Sequence, residues 1–135
     1  MPTQTTGRIT YANWEENPVG STGASPRIAR ASVANTFSGG IEAARTTCEY
    51  TIAYVTDKTG TFTGMELLTG QLDGRAGTFV VEERGVFEAD GTVRCAFEVV
   101  PGSGTGDLTG LTGTGSYTCK AGEPSISYSF DYELG

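Results

Sequence analysis

Histidine is absent from the 135-residue chain. That one absence removes Ser-His-Asp and Cys-His nucleophile systems, imidazole metal sites and histidine proton shuttles. Basic residues are scarce too: 9 Lys and Arg stand against 16 Asp and Glu, for a formal net charge of −7. A surface so poor in cations suits neither nucleic acid nor anionic lipid, so neither is expected as a partner. No apolar run approaches the roughly 18 residues that a membrane-spanning helix needs. The start, Met1-Pro2-Thr3-Gln4-Thr5-Thr6-Gly7-Arg8, lacks the basic segment and apolar core of a secretory signal.

Cysteine is sparse as well. Cys48, Cys95 and Cys119 are odd in number and none stands at CxxC spacing. They read as free thiols in a reducing, cytoplasmic compartment, with no metal site and no redox motif. No cofactor is expected. Any chemistry falls to carboxylates, tyrosines, thiols and the shape of a cavity. What is present is 37% apolar residues and 20 glycines, too much apolar material for a disordered chain. The length suits one domain over 1–135, large enough to bury a core without a metal or disulfide staple.

The pattern is strand and turn from end to end. Thr, Val, Tyr and Phe alternate with small or polar residues, and no stretch carries the 3.6-residue period of an amphipathic helix. Strands are expected at 5–15, 28–38, 45–56, 60–72, 77–88, 92–100, 113–120 and 125–134. Asp57-Lys58-Thr59-Gly60, Asp73-Gly74 and Asp90-Gly91 supply hairpin turns. Glu16–Pro26 and Pro101–Gly113 read as the two long loops, and the Gly-Ser-Gly-Thr-Gly run in the second has no helix to open as a phosphate cradle. The expected fold is all-β: a single eight-stranded antiparallel up-and-down barrel, since closure removes exposed edges.

Alternation also assigns faces. Cys48, Tyr50, Ile52 and Tyr54 share one face, as do Val93, Cys95, Phe97 and Val99, and Ile126, Tyr128, Phe130, Tyr132 and Leu134 form an apolar stripe. Two carboxylates interrupt such faces: Glu66 among Phe62, Leu68 and Leu72, and Glu83 among Phe79, Val81 and Phe87. A two-residue turn at Asp73-Gly74 makes them diagonal neighbours, and a four-residue turn sets them directly opposite. Either register brings them to roughly 5–8 Å between Cβ atoms. Gly64 and Gly85 beside them are expected to leave room for a ligand or water. Close carboxylates in a low-dielectric cavity cannot both ionise cheaply, so one pKa should rise to where a general acid works. The bland alternative is a solvated pair at the barrel mouth, or a structural pairing with Arg30, although Arg30 has the outward parity of its strand.

Val99–Leu111, VVPGSGTGDLTGL, resembles a bacterial family known as an uncharacterised domain, marked by PGSGTG-x-L-x-G-L. Arg30-Ala31-Ser32-Val33, Phe37-Ser38-Gly39, Phe62-Thr63-Gly64-Met65-Glu66, Gly74-Arg75-Ala76-Gly77-Thr78-Phe79, Phe130-Asp131-Tyr132 and Trp14-Glu15-Glu16 extend the likeness over nearly the whole chain. The resemblance implies an eight-stranded barrel like that of allene oxide cyclase, a class that also holds dirigent proteins and spirotetronate cyclases. It brings no catalytic motif to these positions.

The expected function is binding of a small apolar, natural-product-like molecule in the lumen, with cofactor-free cyclase or isomerase chemistry at Glu66 and Glu83. The ligand-binding set is Tyr50, Tyr54, Phe62, Phe79, Cys95, Phe97, Tyr128 and Phe130. The alternatives are a lipocalin-like carrier and a barrel filled by its own side chains. A homo-oligomer is left open. A lumen of roughly 300–1,000 Å³ beside the carboxylates favours the first two readings, and one packed shut by Phe62, Phe79, Phe97 and Phe130 favours the last.

Overall fold

Eight strands follow one another around a closed antiparallel barrel, each hydrogen-bonded to its sequence neighbours and the last to the first. They are β1 Thr3–Val19, β2 Arg27–Gly39, β3 Ile41–Tyr54, β4 Gly60–Leu72, β5 Arg75–Phe87, β6 Val93–Val99, β7 Leu111–Cys119 and β8 Ile126–Leu134. The computed structural model describes residues 2–20, 24–120, 122–123 and 125–134. Among these, no helix is long and apolar enough to cross a membrane.

The Asp73-Gly74 turn has two residues, both at positive φ, so Leu72 pairs with Arg75. That geometry matches the right-handed strand twist, and it settles the register: Glu66 faces Val81 and Glu83 faces Gly64. The four-residue alternative falls. Elsewhere the loops are shorter than expected. β1 continues to Val19, which pairs with Ile28, so the strand covers part of the expected loop at 16–26, and residues 21–23 lie outside those described. In the other loop a short 3₁₀ turn, Gly106–Leu108, drops the fully buried Leu108 into the barrel end, and β7 begins at Leu111. Gly60 lies in β4 rather than in the preceding turn.

Two bulges break the alternation. Asn13 and Arg45 both have positive φ, and the pairing shifts register around each. In β3 the inward set changes from Ile41 and Ala43 to Thr46, Cys48, Tyr50 and Ile52.

Why glycine stands so often in these strands follows from the pairing. Tyr50 is paired with Gly64, Phe62 with Gly85, Phe87 with Gly60, Phe97 with Gly115 and Tyr128 with Gly7. In each case the ring lies across the facing glycine. A Cβ on Gly85 would come 2.3 Å from Phe62 Cζ, and one on Gly115 would come 2.2 Å from Phe97 Cζ. The expectation that Gly64 and Gly85 leave room for a ligand is therefore corrected: the rings of Tyr50 and Phe62 take that space.

The barrel is filled at one end and open at the other. Around Leu72, Leu108, Leu111 and Ile41, Phe130 stacks on Phe79, Phe97 and Tyr132 with centroids 6.4, 5.7 and 5.6 Å apart. A smaller cluster, including Val33, Cys48, Tyr50, Ile52, Phe62 and Cys95, walls the opposite side.

Gly115→Ala tests the ring-on-glycine contact. Alanine gains roughly 0.5–1 kcal/mol over glycine in a strand, whereas overpacking a well-packed core costs about 1–3 kcal/mol. A net loss of stability is expected, read as a lower urea midpoint at unchanged m-value; a gain would show that Phe97 yields freely.

Candidate functional site

The open half of the barrel encloses a cavity of about 630 Å³. Its inner end is bordered by the apolar Ile9, Phe37, Ile41, Leu68 and Val81 together with Glu66 and Glu83, its walls by Tyr50, Ile52, Phe62, Phe97 and Tyr117, and its mouth by Asp57, Lys58, Glu88 and Ala89. The mouth thus lies at the β3–β4 and β5–β6 turns, opposite the Leu108 plug. Trp14, beside the Asn13 bulge and still half exposed, borders the cavity with its ring 6.2 Å from that of Tyr50. Tyr54 closes part of the rim by donating to Glu16 Oε2 at 2.5 Å.

Glu66 and Glu83 are 1% and 3% exposed, so a solvated pair at the mouth is ruled out. Arg30 is exposed on the outer face and serves neither. Their partners are neutral. Asn35 Nδ2 donates to Glu66 Oε2 at 2.9 Å, and Thr46 Oγ1 donates to the same oxygen. Glu83 accepts from Tyr50 OH at 3.0 Å, from Cys48 Sγ at 3.4 Å and from Cys95 Sγ at 3.7 Å. Donors thus converge on Glu83 from β3 and β6, which suits an acceptor, and a carboxylate oxygen of each glutamate lies within 4.8 Å of the other.

Burial pushes the Glu66 carboxyl well above the usual glutamate range; a hydrogen bond to Glu83 and that residue's charge add to the rise, while Thr46 and Asn35 oppose it. Glu66 is therefore an acid held neutral near neutral pH. Burial and the Glu83 charge likewise keep the Cys48 thiol protonated and push Cys95 up to about 12. Tyr50 and Tyr117 are raised mainly by burial, so both phenols stay neutral donors. Cys48 Sγ with the two carboxylates is also the donor set that could hold a divalent ion, and here these atoms bond to one another and to neighbouring side chains. The two buried cysteines and half-buried Cys119 are free thiols.

Of the residues expected to form the site, Glu66, Glu83, Tyr50, Tyr54, Phe62 and Phe97 border the cavity. Phe79 and Phe130 belong to the packed end. So does Tyr128, whose hydroxyl accepts from the Ile41 N–H at 2.9 Å and donates to Ser38 O, tying down the β2–β3 turn. Cys95 sits behind Glu83 rather than at the cavity surface. Asn35, Thr46, Trp14 and Tyr117 complete the site and were not singled out from the sequence. Alternation carries the signal for Asn35, between inward Val33 and Phe37, and for Tyr117. Thr46 is inward only because of the Arg45 bulge.

A family model described as "Protein of unknown function (DUF3224)" matches residues 5–132. The chain belongs to the DUF3224 family. It is similar to the crystal structure of another DUF3224 protein of unknown function, from Shewanella oneidensis MR-1, solved at 1.84 Å. That likeness has a TM-score of 0.82 and 29% identity, and covers 100% of this chain and 99% of the other. No curated protein matches this chain.

The raised Glu66 gives stability a pH dependence of definite sign. Unfolded glutamate titrates near about 4.3, so above that pH the native state holds a proton that the unfolded chain releases. This contribution is complete below the unfolded value and is lost as pH rises toward the folded one. Urea unfolding at about pH 5 and about pH 8 is expected to show wild type losing stability relative to Glu66→Gln, in which that contribution is absent. Parallel behaviour of the two proteins would place an ionised carboxylate at this position.

Proposed function

We propose that this barrel is a small-molecule-binding cup in which Glu66 and Glu83 move a proton on the bound molecule, as a cofactor-free cyclase or isomerase acting on an apolar, natural-product-like substrate. The observation that carries the reading is the pair of buried carboxyls bordering the inner end of an aromatic-walled cavity of about 630 Å³. Burying carboxyls costs several kcal/mol unless partners or a purpose offset it. Here the partners are neutral donors that orient the pair without neutralising it. The resemblance to allene-oxide-cyclase-like barrels supports the same reading at the level of fold. Three free thiols suit a reducing, cytoplasmic setting.

In this reading the apolar wall holds the substrate in a reactive conformer, and the two carboxyls divide the proton work. Glu66 delivers a proton to one atom and Glu83 removes one from another, so after an isomerisation the pair still holds one proton, now on Glu83, and its return to the adjacent Glu66 resets the site. Tyr50, Cys48 and Cys95 hold the Glu83 carboxylate in place for that step. A carrier would need only the wall, and the carboxyl pair is what sets the two readings apart.

The test needs no knowledge of the natural substrate. Ring opening of 5-nitrobenzisoxazole transfers its C–H proton to a carboxylate as the N–O bond breaks and a phenolate leaves, so it reports an activated base in an apolar cavity. Saturable turnover is expected, falling about hundredfold or more in Glu83→Gln and unchanged in Glu82→Gln, which alters an exposed outer-face carboxylate. A rate no greater than that of acetate at matched concentration, or equal rates in Glu83→Gln and wild type, would reduce the lumen to a container.

A further inference from the structure

The charge distribution along the cavity narrows the class of molecule it takes. Among the described residues that border it, the cation is Lys58, exposed at the mouth, whereas the inner end presents two carboxyls and neither Arg nor Lys. The neutral donors there are already engaged: Asn35 and Thr46 with Glu66, and Tyr50, Cys48 and Cys95 with Glu83. The backbone N–H groups around them belong to strand ladders. A carboxylate, phosphate or enolate entering this end would meet like charge, with these donors already spoken for, in a medium where both penalties are large. A positive group would meet carboxyl acceptors and an aromatic wall that includes Trp14, Tyr50 and Phe62, and aromatic rings attract cations. The chain already makes that contact at the rim, where the Arg27 guanidinium lies 3.9 Å from the centroid of the Tyr54 ring.

We propose that the lumen selects a small apolar molecule bearing one positive charge, an alkyl- or arylalkyl-ammonium, seated against Glu66 and Glu83. This rests on the small-molecule reading above and names its ligand class. Two carboxyls this close hold one proton between them and together carry a single negative charge. When an ammonium arrives and the shared proton leaves to solvent, the total at the inner end is unchanged. The protein then buries no more net charge with the ligand than without it, which limits the desolvation cost. The groups facing the pair are Cys48, Tyr50 and neutral Thr46 from β3, Cys95 from β6, Tyr117 from β7 and neutral Asn35 from β2. The thiols and phenols among them are held in their protonated forms, so the proton released comes from the carboxyl pair.

A matched series tests this: 2-(1-naphthyl)ethylamine, 2-(1-naphthyl)ethanol and 1-naphthylacetate, titrated into the full chain by calorimetry in two buffers of different ionisation enthalpy. The ammonium is expected to bind about tenfold or more tighter than the alcohol, the carboxylate more weakly than the alcohol, with a fraction of a proton up to one released per ammonium bound. In Glu66→Gln and Glu83→Gln the preference and the proton release should both fall, with circular dichroism checking the fold. If either variant fails to fold, the wild-type series and its proton count still decide. Equal affinity for ammonium and alcohol, or tightest binding of the carboxylate, would overturn charge selection and leave the small-molecule reading standing. Binding of none of the three would overturn both.

Discussion

The inward rings of this barrel lie across glycines on the neighbouring strand, and most of the architecture depends on that fit. An eight-stranded barrel is just wide enough for side chains to fill it or for one small ligand to enter. Aromatic rings standing upright on every strand would crowd such a lumen. The rings of Tyr50, Phe62 and Phe97 instead take the space left by the missing side chains of Gly64, Gly85 and Gly115 on the neighbouring strands. Glycine in a strand interior is ordinarily a weakness. Here the ring that covers it restores the lost burial, much as aromatic residues rescue edge glycines.

The same packing creates the electrostatic problem that the site solves. Burial strips water from Glu66 and Glu83, and no cation among the described residues compensates them. The structure spreads the cost over five neutral donors and one retained proton. This arrangement trades stability for poise, as functional sites commonly do. It loses stability as the pH rises, and it keeps a protonated carboxyl beside a second carboxyl in a largely apolar cavity.

The two halves of the barrel divide the labour. The packed end, closed by Leu108 and the Phe130 stack, supplies the cohesion that lets the other half stay hollow. At the open end the loops carry charged residues and the strands carry the aromatic wall, so the mouth is wet and the interior apolar. The Asn13 bulge belongs to this end: without the shift in β1, Trp14 would lose its place on the wall.

Strand number, antiparallel order and the inward placement of Glu66 and Glu83 were legible in the sequence, because the period of two is local and each residue reports its own face. The β4–β5 register was left open between a two-residue and a four-residue turn at Asp73-Gly74, and the pairing of Leu72 with Arg75 decided it. Only the tertiary structure decided the rest. Whether Gly64 and Gly85 opened space depended on which rings faced them across the sheet, and those rings filled it. Thr46 entered the site through a bulge at Arg45, a residue with no local preference for positive φ. Phe79, Tyr128 and Phe130 share the inward parity of Phe62 and Phe97, yet they pack the closed end, because depth along the barrel axis is set by strand stagger and closure. Cys95 reached Glu83 for a similar reason: β6 adjoins β5, and the facing Gly85 leaves its neighbour exposed to the thiol. Alternation says which way a side chain points, whereas what it meets there is fixed by contacts between strands distant in sequence.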